Sequence, residues 1–131
     1  MTAVVRTTLW LSCPFNLIAA WLFVSPASVL GQFLGMPIDV PSLYSLVVGF
    51  LICEFGVTYA WLALQKHIHR PLLAFCAIGK SGVFAIVLLL WLSADISGRL
   101  VLLASGDLVL ALIWFTWLFD KQRSTVVSSG E

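Results

Sequence analysis

Polar positions are sparse along this chain, and where they gather they divide it into four apolar stretches, roughly Leu9–Val24, Leu43–Leu64, Pro71–Leu92 and Leu100–Phe119. Within each stretch nearly every position is apolar, so no polar face recurs at helical period. An α-helix crosses the hydrocarbon core of a bilayer in about 20 residues. The last three stretches reach that length, and the first reaches it if Val4 and Val5 begin the helix. The pattern predicts an all-α fold: a polytopic integral membrane four-helix bundle with helices at about 4–24, 43–64, 71–92 and 100–119. Short connections make helices adjacent in sequence antiparallel neighbours in space. Beyond Phe119 the chain turns polar, and 120–131 is expected to be a disordered cytoplasmic tail whose final "SSGE" carries no function.

The first loop, "SPASVLGQFLGMPIDVPS", has a pattern of its own. Ser25 is placed to cap a helix that has Pro26 at its first position. Val29, Leu30, Phe33 and Leu34 share one face, Gly35 ends the turn, and Pro37 and Pro41 forbid continuation. The expected element is a short helix lying on the membrane surface. It reads either as a lid over a cavity or as a linker packed on the bundle.

Composition agrees with the spans. The chain is 61% hydrophobic and only 10% charged, with a mean hydropathy of +1.07, where a soluble domain is about a quarter charged. Net charge is near zero, so no basic surface points to nucleic acid. Three cysteines, Cys13, Cys53 and Cys76, sit inside apolar stretches at spacings that suit neither a disulfide framework nor zinc. His67 and His69 lie two apart in the turn "QKHIHR" and cannot share a helical face. No metal or cofactor is expected. Arg6 followed by an apolar run and "SPAS" also resembles a signal peptide, but with Met1 kept the segment is expected to stay as a helix.

Lysine and arginine set orientation. Arg6, Lys66, Arg70, Lys121 and Arg123 fall on one side of the spans and only Arg99 on the other, which predicts cytoplasmic termini. Trp10, Trp61 and Trp117 then sit near the cytoplasmic interface, with Trp114 a turn deeper. Trp21, Tyr44 and Trp91 sit near the outer one. The expected setting is a bacterial inner membrane.

Each span carries one strongly polar residue: Asn16, Glu54, Lys80 and Asp107. Counted from the cytoplasmic ends, their depths come to roughly 10, 15, 14 and 18 Å, all in the central part of the core. Exposure to lipid costs an ionisable residue a few kcal/mol or more, so these residues are expected to meet on the bundle axis. There Lys80 would hydrogen-bond Glu54, Asp107 or both. "GKS" at Gly79–Ser81 looks like the end of a phosphate-binding loop, but Ala74 stands where that loop needs glycine. Gly79 and Gly82 instead read as places where another helix approaches closely. Thr58, Trp61 and Phe84 lie within two turns of the polar residues on their helices. Trp114 stands seven residues after Asp107, as Trp61 does after Glu54. Tyr59 offers a hydroxyl but is off the Glu54 face.

Three functions fit such a cluster. Lys80 with two carboxylates supplies an acid and a base of different strength in one dry pocket. Glu54 would be the base, Lys80 or a protonated Asp107 the acid, Asn16 an orienting donor, and Trp61, Phe84 and Trp114 the walls. A lipophilic small molecule drawn from the bilayer would be the substrate, and the reaction isomerisation, cyclisation or opening of an epoxide-like electrophile. Alternatively Glu54 or Asp107 exchanges a proton for a transported substrate. In the third reading the cluster only staples the helices. The pocket belongs to one chain or is completed by a second copy in a homodimer.

The stretches "SPASVLGQFLGMP", "EFGVTYAWLA", "GKSG" and "SGD" resemble the broad group of small four-helix DoxX-like membrane proteins. That resemblance covers most of the chain and implies the fold and little else. In layout alone the chain also looks like sterol-isomerase-type membrane proteins, which place acidic residues in a lipophilic pocket. It departs from them in length and in having Lys80.

Overall fold

The computed structural model describes residues 1–128, with side chains through Asp120. Five helices follow one another: α1 (Thr2–Val24), α2 (Val29–Leu34), α3 (Ser42–Leu64), α4 (Arg70–Leu92) and α5 (Gly98–Ser128). All but α2 are long and apolar enough to cross a membrane, α5 over Gly98–Asp120. The chain is a multi-pass integral membrane protein, and the start of α1 lies on the same side as the Asp120 end of the α5 span, where Trp117 donates to Thr2. We call that side the terminal end and the opposite side the α2 end.

The helices associate as two pairs. α1 packs along α3 and α4 along α5, with a lighter contact between α1 and α5, while α3 and α4 barely meet. Glycine explains how close the first pair comes. A Cβ on Gly49 would lie 2.5 Å from a Val24 methyl, and one on Gly56 would lie 3.4 Å from the Asn16 Cβ. Small residues let membrane helices approach this way. Gly79 and Gly82, the expected points of approach, do not serve it. A Cβ at Gly79 would make only ordinary contact with Phe55, and one at Gly82 would meet nothing.

Side-chain donors fasten both ends. A helix leaves its last carbonyls unpaired, and Arg6 from α1 donates to two of them at the end of α3, Ala63 at 2.6 Å and Gln65 at 2.8 Å. Arg70 at the start of α4 donates to the Leu118 carbonyl of α5 at 2.6 Å. At the α2 end, Ser28 caps α2 by accepting from Gly31 N–H, and Gly35 closes it with a left-handed φ of 75°. The cap is thus Ser28 and not Ser25. Ser97 donates to the Leu34 carbonyl at 2.8 Å and Arg99 to that of Phe33 at 2.6 Å, with the guanidinium 4.6 Å from the Phe33 ring centroid. These bonds tie α2, which belongs to the first pair's connection, to the turn of the second pair.

Burial is uneven along the bundle. The apolar core comprises Val5, Leu9, Tyr59, Leu62, Ala63, Leu73, Cys76, Ala77, Ala111, Trp114, Trp117 and neighbours, all in the half nearer the terminal end. Trp114 and Trp117 are inside this core rather than in an interfacial belt. Trp114 donates to Thr8 at 2.9 Å and Trp117 to Thr2 at 3.3 Å. Trp10, Trp21, Tyr44, Trp61 and Trp91 are exposed as a belt requires. Helix α5 continues past Phe119 to Ser128, where a disordered tail was expected. Residues 129–131, with most of "SSGE", lie outside the described residues.

Candidate functional site

The polar residues meet where the packed half ends. Lys80, 4% exposed, forms an ion pair with Asp107 across the α4–α5 contact. Its ammonium also donates to Asn16 Oδ1 of α1 at 3.3 Å, and the Asn16 amide donates to the Ile52 carbonyl of α3 at 3.0 Å. One chain of hydrogen bonds therefore touches all four membrane-crossing helices. Three rings surround the ammonium: Tyr59, Phe15 and Trp114, with centroids at 5.0, 5.3 and 6.0 Å. Their faces are electron-rich and help hold a desolvated cation. Tyr59 packs on Trp114 at 5.4 Å between centroids, so the aromatic floor of the site continues into the core below.

Above this floor, toward the α2 end, the bundle is hollow. One cavity of about 340 Å³ lies between α1, α3 and α4, with Phe15, Phe23, Ile52, Phe55 and Val83 among its walls and Asn16, Tyr59, Lys80 and Asp107 at its polar end. A second, of about 210 Å³, lies under Met36 and Pro37 between α1, α4 and α5. Phe15, Ala19, Phe23, Val83 and Asp107 line both, so the two are lobes meeting at the Asp107 carboxylate. Backbone contact between α3 and α4 is slight, which leaves a gap between these two helices beside the first lobe. Phe55 and Phe75, stacked at 5.9 Å, bridge that gap. Asp107 is the more accessible member of the pair, at 14% against 4%, so a molecule in either lobe meets the carboxylate first.

The structure brings together Asn16, Tyr59, Lys80 and Asp107 of the expected site, with Trp114 directly beneath. It does not bring Glu54. That residue is exposed on the outward face of α3, opposite the face that carries Gly49, Ile52, Gly56 and Tyr59. Glu54 therefore cannot pair with Lys80 or act as the base of this site. Trp61, 60% exposed, shares its outward stripe. Thr58 turns its hydroxyl back to the Glu54 carbonyl of its own helix at 2.9 Å and lines neither lobe. Phe84 is half-buried and likewise absent from both walls. The residues not anticipated are Phe15, Phe23, Ile52, Phe55 and Val83. For Phe15 and Phe23 the signal was a helical stripe on α1, Phe15–Ala19–Phe23, flanking Asn16.

No family model, curated protein or solved structure matches this chain.

Proposed function

We propose that this protein takes a lipophilic small molecule from the bilayer and moves a proton on it with the Lys80–Asp107 pair. One observation carries the reading: the ion pair stands on the wall of an apolar cavity instead of being sealed in a packed axis. A polar network that only holds helices together gains nothing from an adjoining void, since unfilled space forfeits contacts. An apolar cavity of a few hundred Å³ with a few convergent polar groups is the usual form of a small-molecule site.

The roles follow from position. Asp107, facing both lobes, is the base. Lys80 holds its carboxylate by the ion pair and donates to an oxygen on the substrate as negative charge grows there. Asn16 holds the ammonium in place. Removing a proton at one atom and returning it at another rearranges the substrate with no water or other co-reactant. Isomerisation or cyclisation thus suits a dry site better than hydrolytic opening. The substrate enters sideways between α3 and α4.

The bias of Arg6, Lys66 and Arg70 against Arg99 supports a cytoplasmic terminal end, and a bacterial inner membrane is the setting proposed. The hollow half then lies in the outer leaflet.

The test is native mass spectrometry of protein extracted into nanodiscs directly from its host membrane. The wild type should carry a lipophilic adduct that Val83→Phe, which fills the wall common to both lobes, does not. Asp107→Asn should retain the adduct but shift its substrate-to-product ratio by about 100-fold, the usual worth of general-base assistance. Identical adducts in wild type and Val83→Phe would remove the binding reading. An unchanged ratio in Asp107→Asn would remove the catalytic one.

A further inference from the structure

Glu54 is left without a role by the site above, and its placement is costly. It stands in the middle of α3, ten residues from Leu64 and twelve from Ser42, roughly 15–18 Å from either end. That is too far for a glutamate side chain to reach an interface. The residues a turn or two away on the same face are apolar and exposed: Val47 at 47%, Phe50 at 61%, Val57 at 69% and Trp61 at 60%. An ionisable residue facing lipid at that depth costs a few kcal/mol or more unless it finds a partner.

The chain holds no complement for it among the described residues. Lys80, at similar depth, is buried against Asp107. Arg6, Arg70 and Arg99 are held at the bundle ends by backbone carbonyls. The other buried polar groups on α1 and α5 face the bundle interior. What satisfies Glu54 has to come from outside the chain, at the same depth.

A second copy meets that requirement through symmetry alone. A two-fold axis along the membrane normal keeps every residue at its own depth. If it runs beside the outward face of α3, Glu54 is set opposite Glu54 of the other copy. Two carboxyl groups, one of them carrying its proton, hydrogen-bond each other directly. Val47, Phe50, Val57 and Trp61 would then pack on their counterparts above and below. We propose that the outward face of α3 is a homodimer interface centred on Glu54. This interface is independent of the ligand site, which lies on the opposite face of the same helix.

The test uses full-length protein in which Cys13, Cys53 and Cys76 are replaced by alanine, reconstituted in liposomes of pure lipid so that no other chain is present. Phe50→Cys and Val57→Cys lie about one turn on either side of Glu54 along α3, and Ile78→Cys, 62% exposed on α4, is the control. Oxidation should join 50 to 50 and 57 to 57 in dimers but not 78 to 78. Adding Glu54→Leu should cut the yield at 57 by about tenfold, as loss of an interhelical hydrogen bond between membrane helices does. Glu54→Gln, whose amides can pair, should keep most of it. Because residue 54 is exposed, neither change disturbs the monomer. Cross-linking at 50 and 57 no greater than at 78 would overturn the proposal. So would dimers that form equally well with Glu54→Leu.

Discussion

The two halves of this bundle are built from the same residue types and differ in how they are filled. Toward the terminal end, Trp114, Tyr59, Leu9, Leu62 and Leu73 interlock with almost no exposure. Toward the α2 end, large side chains such as Phe23 and Leu90 stand back from one another around two apolar lobes. Lipid exerts no hydrophobic pressure to close the second half, because hydrocarbon is as comfortable against leucine as leucine is. Packing therefore has to be made by shape. In the lower half it is made by rings meeting between the two pairs, Tyr59 against Trp114; in the upper half α2 and its bonds to Ser97 and Arg99 tie one pair to the other. The Lys80–Asp107 pair sits at the junction, with a solid support below it and open space above. A reactive pair benefits from both, since the support fixes geometry and the space admits a substrate.

The largest effect expected comes from breaking the pair on one side. Lys80→Met leaves Asp107 in an apolar surround without its cation and should cost about 3–5 kcal/mol. Lys80→Met with Asp107→Leu removes both charges and should return stability to within about 1 kcal/mol of the wild type. Equilibrium unfolding in bicelles measures both. If the double variant is as unstable as the single one, the junction is an architectural joint and the contrast between halves loses its functional meaning.

Next in size is a paired truncation across the junction. Trp114→Ala removes a fully buried indole and its bond to Thr8, with an expected cost of about 3 kcal/mol or more. Phe23→Ala truncates a ring that is 40% exposed and borders both lobes. It should cost well under half as much, because the contacts a cavity-side ring can lose are few. Equal losses would mean that the upper half is as tightly packed as the lower.

Much of this arrangement was legible in the chain, and the limit falls at a definite place. Runs of apolar residues near 20 long, closed by prolines and charges, locate the spans: 43–64 became Ser42–Leu64 and 71–92 became Arg70–Leu92. The meeting of Lys80 with Asp107 followed from the cost of leaving either alone in lipid. What a membrane helix conceals is which way it faces. It is apolar all round, so period carries no signal, and a lone polar residue is the first compass. For α4 and α5 that compass was right. For α3 it pointed to Glu54, about 140° around the helix from Tyr59. The better guide was the glycine spacing from Gly49 to Gly56, because small residues mark where another helix must come close. Tyr59 falls beside that line, and with it the true wall of the site.

Adding volume probes the same contrast with a smaller effect. Phenylalanine in place of Ala77, which is fully buried in the packed half, should cost about 1–3 kcal/mol by overpacking. In place of Val83, which is 48% exposed and borders both lobes, it should change stability by no more than about 0.5 kcal/mol. Val83→Phe should nonetheless exclude the lipophilic adduct. A Val83→Phe variant as damaged as Ala77→Phe would show that the upper space closes in the bilayer.

The smallest effect expected is at Thr58, and it bears on how the two faces of α3 divide their work. Thr58 and Tyr59 are neighbours in the chain, and both are hydroxyl-bearing. Tyr59 is 2% exposed, packs at a tilt against Trp114 and lies under the Lys80 ammonium. Thr58 donates to the Glu54 carbonyl one turn back and touches neither lobe. A hydroxyl that bonds only its own helix backbone adds little to helix stability, and valine keeps the same branched shape. Thr58→Val should therefore change stability by no more than about 0.5 kcal/mol and leave the adduct's amount and composition as in the wild type. Tyr59→Leu should loosen the floor under Lys80 and alter the adduct. Should Thr58→Val deplete the adduct as strongly as Tyr59→Leu, the outward face of α3 would belong to the site after all. The division between a ligand face at Tyr59 and an association face at Glu54 would then fail at its narrowest point.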